Sequence, residues 1–139
     1  MTAPIYHYRR TTAPRAPRTN PEHALQVQVA QYLRFCLPPE IEWTSSLAGA
    51  YLGPSQRSKM KASGLRPGWP DIQLCIRRRI HFIELKSDAG VLSVDQKRVL
   101  AALHPDAWRV CRNLDEVVRA LVDWGVHLRA LPDAALVRR

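Results

Sequence analysis

Long hydrophobic runs are missing from this chain. No apolar stretch approaches the ~20 residues that a transmembrane helix needs, and the first residues contain no signal-peptide core. This pattern excludes a membrane-spanning protein and predicts a soluble, cytoplasmic protein that has no membrane partner.

Cysteine is also scarce. The three cysteines, Cys36, Cys75 and Cys111, are odd in number and widely spaced, and they form no paired-cysteine metal motif. Four of the histidines are scattered at intervals that form no metal pattern either: His23, His81, His104 and His127. We therefore expect buried free thiols rather than disulfides or a zinc site, in agreement with a reducing compartment.

Acidic residues are few, since 12 acids face 21 lysines and arginines and leave a net charge of +9. A polyanionic partner such as nucleic acid is consistent with this excess, although charge alone names no reaction. Residues 1–19 contain four arginines and no acid. They are predicted to form a disordered basic arm, which either follows phosphates or is a passive tail.

With 139 residues, 46% of them hydrophobic, the chain is long enough for one domain with one core. Capping residues, glycines and apolar periodicity predict an alternation of helices and strands. These elements are a helix from Pro21, a strand at Ile41–Thr44, a short helix at Ser55–Ala62, strands at Ile72–Ile76 and Ile80–Leu85, a helix from Ser93 to about Leu103, a strand at Ala107–Cys111 and a helix after Asn113. This order predicts an α/β fold, with a mixed central sheet flanked by helices.

Two predicted strands flank three arginines, Arg77 to Arg79, which form the turn between them. If two of these arginines form the loop, Asp71 lies opposite either Glu84 or Lys86, and paired residues share a sheet face. A three-residue loop would need a bulge, so the sequence alone leaves the register open.

Two carboxylates on adjacent buried strands repel each other unless a cation lies between them. Oxygen ligands without clustered thiolates favour Mg²⁺ or Mn²⁺ over zinc. Lys86 shares a face with Glu84, where it can position a water molecule or stabilise charge on a phosphate oxygen. The alternative for Glu84 and Lys86 is an ordinary salt bridge on a half-exposed strand.

Three segments carry a resemblance to a known family: GWPDI at 68–72, FIELK at 82–86 and LSVDQ at 92–96. Together they resemble the VRR-NUC branch of the PD-(D/E)xK, restriction-endonuclease-like nucleases. The likeness extends to PEHALQ at 21–26 and CRNLDE at 111–116, so it covers residues 20–126 as one nuclease domain. Residues 127–139 are then a C-terminal extension without an assigned role.

The resemblance implies an αβββαβ core and a metal-dependent DNA endonuclease. It assigns Glu22, Asp71 and Glu84 as carboxylate ligands, the Leu85 carbonyl as a further ligand and Lys86 as the catalytic lysine. It also implies a bacterial cell or a virus-infected bacterial cell, a homodimer, and structured or branched DNA such as four-way (Holliday) junctions as the substrate. The alternatives are a noncatalytic nucleic-acid-binding module on the same fold and a sequence-specific restriction enzyme, for which a chain this short leaves little room.

Two assignments have a second interpretation. Glu22 lies in a first helical turn, where the helix dipole favours any acid. Gln96 fits a capping box with Ser93, so it is either an accessory catalytic residue or only a cap.

A basic segment precedes the proposed metal strand and carries no acid. Its members are predicted to contact the phosphate backbone: Arg57, Lys59, Lys61 and Arg66. Trp69, which follows, either stacks on a base or braces the segment that leads into Asp71.

Overall fold

The computed structural model describes residues 20–46 and 52–130. In this part of the chain the elements are α1 (Pro21–Cys36), β1 (Glu42–Ser45), α2 (Pro54–Ala62), β2 (Ile72–Ile76), β3 (Arg79–Leu85), α3 (Val94–Ala102), β4 (Trp108–Cys111) and α4 (Leu114–Asp123), with a 3-10 helix at Pro105–Ala107 before β4. The α/β class is confirmed. The predicted basic arm at 1–19 and residues 131–139 of the predicted extension lie outside the described residues.

The strands form one mixed sheet in the order β1-β2-β3-β4. β1 pairs with β2 and β2 pairs with β3 in antiparallel fashion, whereas β4 runs parallel to β3. Helix α3 supplies the crossover between the two parallel strands, as such a connection requires.

The β2–β3 hairpin has a two-residue turn, Arg77 and Arg78, since Ile76 pairs directly with Arg79. Both turn residues have positive φ, 51° and 65°, as a type I′ turn requires. The predicted three-arginine turn is therefore one residue too long, because Arg79 already belongs to β3. With Ile72 opposite Ile83, the register continues to place Asp71 opposite Glu84, which is one of the two alignments expected.

One face of the sheet forms the core against α1 and α4. The buried residues of that core include Ile72, Leu74, Ile83 and Leu85 from the central strands, Val29 and Leu33 from α1, and Val117 and Leu121 from α4. The predicted stripe of α1 is confirmed, since Leu25 and Tyr32 also pack against this cluster.

The predicted helix caps are present. Asn20 accepts from the His23 N–H, Ser93 and Gln96 form a reciprocal capping box, and Asn113 accepts from the Glu116 N–H. Gly64 and Gly125 have positive φ just beyond α2 and α4, where glycine is preferred.

Some element ends differ from the sequence-based expectation by one residue. β1 begins at Glu42 and extends to Ser45, and β4 begins at Trp108 because the 3-10 helix takes up Ala107. The first residues after 126 also belong to the packed fold, since Arg129 donates from its N–H to the Cys36 carbonyl and from Nη2 to the Leu37 carbonyl.

Two further expectations concern cysteines and membrane spans. All three cysteines are free; Cys36 and Cys111 are buried and Cys75 is half-buried. Among the described helices, none has both the length and the apolar character needed to cross a bilayer.

Candidate active site

Asp71 lies at the start of β2, immediately after the buried Pro70. Its Oδ2 accepts a hydrogen bond from the Leu85 N–H at 2.7 Å, and the Ser46 N–H donates to its backbone carbonyl at 2.7 Å. Burial raises the pKa of the Asp71 carboxyl, while the bond from Leu85 and the charge of Lys86 oppose that rise. The aspartate is therefore held at both its backbone and its side chain.

Glu84, near the end of β3, is only 2% exposed. Its Oε1 accepts from Gln96 Nε2 at 2.6 Å and lies 3.3 Å from Lys86 Nζ. Burial, followed by the negative charge of Asp71, raises the pKa of Glu84 to about 7, although Lys86 opposes the rise. The ionised form of Glu84 is therefore energetically unfavourable at this site unless further positive charge is added.

Lys86 follows β3 and is only 7% exposed. Its Nζ lies 3.3 Å from Glu84 Oε1 and 3.9 Å from Glu22 Oε1. The ammonium therefore joins the acid of α1 to the acid of β3. The Lys86 N–H also donates to the Cys111 carbonyl at 3.0 Å, so β4 fixes the backbone from which the lysine extends.

Gln96 forms the predicted cap and also contacts a candidate site residue. Its Oε1 accepts from the Ser93 N–H at 2.8 Å, which completes the capping box of α3. Its Nε2 donates to Glu84 at 2.6 Å. The capping prediction is confirmed, and the same side chain orients a site carboxylate.

The Leu85 carbonyl is left without its usual sheet partner. Continuing the β2–β3 register places Pro70 opposite Leu85, and proline has no N–H to donate. The Leu85 N–H turns instead to the Asp71 carboxylate. The N–H and C=O of one strand residue face the same edge of the strand. The Leu85 carbonyl therefore faces the same side of β3 as the Asp71 carboxylate.

These groups bear on whether the site can hold a divalent ion. Among residues 20–46 and 52–130, no set of three or more His, Cys, Asp or Glu side chains is arranged to hold a metal. Glu22 Oε1 lies 3.9 Å from Lys86 Nζ, and the negative charge of Glu22 contributes to the raised pKa of both Asp71 and Glu84. Asp71, Glu84 and the Leu85 carbonyl nevertheless offer hard oxygen donors, and Mg²⁺ is typically held by one or two carboxylates while it keeps several waters.

Two residues that support this arrangement were not among the predicted site residues. A Cβ on Gly90 would lie 2.8 Å from Glu22 Oε1 and 3.3 Å from Lys86 Cδ, so a larger residue there would push on both side chains. Arg112 Nη1 donates to the carbonyls of Ser87 at 2.6 Å and Gly90 at 2.8 Å. Neither contact is visible in the sequence, since a glycine in a loop and an arginine after a strand both have many common roles.

The predicted phosphate-binding residues are placed on the surface. α2 has no buried residue, and its basic side chains are exposed: Arg57, Lys59 and Lys61. Arg66 is exposed in the segment that leads to Asp71. Residues 47–51, which precede this region, lie outside the described part of the chain.

Comparisons with protein-family models, with curated proteins and with solved structures found no match to this chain. The functional interpretation therefore depends on the geometry of the site and on the residue pattern.

Proposed function

We propose that this chain is a metal-dependent nuclease that hydrolyses phosphodiester bonds in DNA, on a restriction-endonuclease-like fold of the VRR-NUC type. The observation that carries the proposal is the convergence of Asp71, Glu84 and Lys86 at one end of a hairpin, with Gln96 bound to Glu84. The element order α1-β1-β2-β3-α3-β4, with α2 inserted after β1, is consistent with that fold.

The proposed ligands of Mg²⁺ or Mn²⁺ are the carboxylates of Asp71 and Glu84 and the carbonyl of Leu85, joined by the carboxylate of Glu22 as the resemblance implies. When bound, the ion would lower the pKa of a water molecule and neutralise charge that builds on the phosphate. The raised pKa values of both carboxyls support this assignment, because an added cation would stabilise their charged forms.

The remaining residues have roles that need no ion. Gln96 holds Glu84 in one orientation, and the Glu22 carboxylate also forms an ion pair with Lys86 at 3.9 Å. Lys86 is thereby placed to donate to a phosphate oxygen or to a water molecule. The exposed basic residues of α2 and Arg66 hold the DNA backbone beside this site.

From the resemblance, we also propose that the substrate is structured or branched DNA, four-way junctions included, and that the protein is a homodimer. Paired incisions in opposite strands would suit a twofold-symmetric pair of sites.

One observation favours the noncatalytic alternative. Lys86 already forms ion pairs with Glu84 and Glu22, so the charges of the site are partly balanced by the protein alone. A nucleic-acid-binding module would need no further cation here.

The deciding experiment compares wild type, Asp71→Asn and Lys86→Ala on matched four-way junction, flap, duplex and single-stranded DNA, with Mg²⁺, Mn²⁺ or chelator. Asp123→Asn, an exposed acid at the end of α4, is the control. We expect metal-dependent cutting in wild type and in the control, and loss of cutting in the other two variants, with DNA binding retained in Lys86→Ala. Calorimetric titration with Mn²⁺ shows whether Asp71→Asn has lost the metal, and urea unfolding of the same variant shows whether it has kept the fold. Binding without cutting under every condition would support the noncatalytic module.

A further inference from the structure

A small cavity of about 170 Å³ lies between α3 and the segment that leads into Asp71. Arg66 and Trp69 line it from that segment, and Arg98, Val99, Ala102 and Leu103 line it from α3. The cavity is smaller than the ~300–1,000 Å³ of sites for drug-sized ligands. Its size suits a single flat ring system.

The two walls of this cavity are fastened to each other. A Cβ on Gly68 would lie 2.5 Å from the backbone carbon and oxygen of Asp95, so the segment packs directly on the first turn of α3. Arg98 Nη2 also donates to the Pro67 carbonyl at 3.3 Å. The cavity is therefore formed before any ligand arrives.

Trp69 provides an aromatic surface at its rim. The indole contacts the buried Phe82, with ring centroids 6.0 Å apart and an interplanar angle of 51°. This contact fixes the ring, yet Trp69 remains 41% exposed. Bracing therefore accounts for one side of the ring, and the rest is available for stacking.

The two charged residues that line the cavity are both arginines. Arg66 is exposed and forms no ion pair or hydrogen bond with another described residue, while Arg98 pairs with the exposed Asp95 at 3.3 Å. An apolar floor beside an exposed aromatic ring and two guanidinium groups is the combination with which proteins bind an unpaired base and its phosphate.

We propose that this cavity holds one unpaired nucleobase, stacked on Trp69, with its phosphate bound by Arg66 and Arg98. The assignment rests on the proposed nuclease function for its place in the reaction. Trp69 is two residues before Asp71, so their Cα atoms lie at most about 7 Å apart. The base would belong to a nucleotide adjacent to the scissile phosphate.

This placement has a consequence for substrate choice. A base inside a duplex is stacked and paired, and removing it costs a few kcal/mol unless it is already mismatched or single-stranded. The cavity therefore favours DNA with an unpaired nucleotide beside the cut, such as a flap or a junction with an open branch point.

The test measures binding with chelator present, so no cleavage occurs. A dye-labelled thymidine tetranucleotide is compared with the same sugar-phosphate chain lacking all four bases, which keeps every phosphate. We expect wild type to bind the complete oligonucleotide about 5- to 150-fold more tightly, the range that stacking of one base provides. Trp69→Ala should lose this preference and Trp69→Phe should keep most of it. Phe35→Ala, which removes an aromatic ring that is 52% exposed on α1, should leave it unchanged.

A second variant keeps the test valid if Trp69→Ala fails to fold. Ala102 is exposed on α3 and lines the cavity, so Ala102→Leu fills the space without altering Trp69 and should also abolish the preference. Equal affinity of wild type for both oligonucleotides, or a preference that survives in Ala102→Leu, would overturn the proposal. A base preference in a protein that never cuts DNA would instead refute only the nuclease function.

Discussion

The raised pKa of Glu84 predicts how the stability of the metal-free protein changes with pH. The pKa rises from 4.5 to about 7, and one pKa unit corresponds to about 1.4 kcal/mol. Ionising this carboxyl therefore costs about 3 kcal/mol more in the folded chain than in the unfolded chain. Between about pH 5 and pH 7 the folded state holds a proton that the unfolded state releases, so this contribution to stability falls as pH rises.

Glu84→Gln removes that titration and preserves the acceptor for Gln96 Nε2. We expect the difference in free energy of unfolding, variant minus wild type, to increase by about 2.5 kcal/mol from pH 5 to pH 8. Asp71 still titrates with a raised pKa, and His81, whose pKa is lowered by burial, acts with the opposite sign. Both are present in the two proteins and largely cancel from the difference.

The measurement is urea unfolding at several pH values in the presence of chelator, with Glu42→Gln, an exposed acid on β1, as the control. Mg²⁺ added at pH 8 should stabilise wild type more than Glu84→Gln, since a ligand that binds only the folded state adds to its stability. A difference that does not depend on pH would refute the argument that Glu84 is held in a desolvated, negatively charged environment.

Further predictions concern glycines and surface charge. Gly90→Ala should displace the Glu22 side chain and reduce cleavage, whereas Gly53→Ala, where a Cβ meets nothing within 4 Å, should leave cleavage unchanged. Single-turnover assays on one DNA substrate compare the two variants. Equal cleavage rates would argue against a role for the position of Glu22. Gly64→Ala should cost about 1–2 kcal/mol of stability through its positive φ alone. Gly68→Ala should cost more, because its Cβ also meets the Asp95 backbone. Similar unfolding midpoints for the two variants would contradict the packing of Gly68 on α3. The last prediction replaces three basic residues of α2, Arg57, Lys59 and Lys61, by alanine. The slope of log K for DNA binding against log salt concentration should fall in magnitude by up to about 0.9 for each phosphate that the variant no longer neutralises. An unchanged slope would show that α2 does not contact the DNA.

Local signals made much of the fold predictable from the sequence. The helix caps and the glycines after α2 and α4 depend on neighbours three or four residues apart, and they are present as expected. The alternation of Ile72, Leu74 and Ile76 determined which side of β2 is buried. The hairpin was predictable to within two alignments, because its strands are adjacent in the chain.

Contacts between distant segments were not predictable. The turn closes on Arg77 and Arg78, although arginine is not a residue that favours positive φ, and Arg77 packs beside Gly125 at the end of α4. The position of Glu22 relative to the other acids depends on how α1 lies across the sheet. Its ion pair with Lys86 is a tertiary contact that no local pattern encodes.

Gln96 restricts its own replacement from two directions. Glutamate can also complete a capping box, and at this position it would still accept from the Ser93 N–H. It would also exchange an amide donor for an oxygen at the place where Nε2 meets Glu84 at 2.6 Å. A substitution that is nearly neutral for helix formation would therefore place two acids in contact, so a change at this one position of α3 alters the environment of Glu84 on β3.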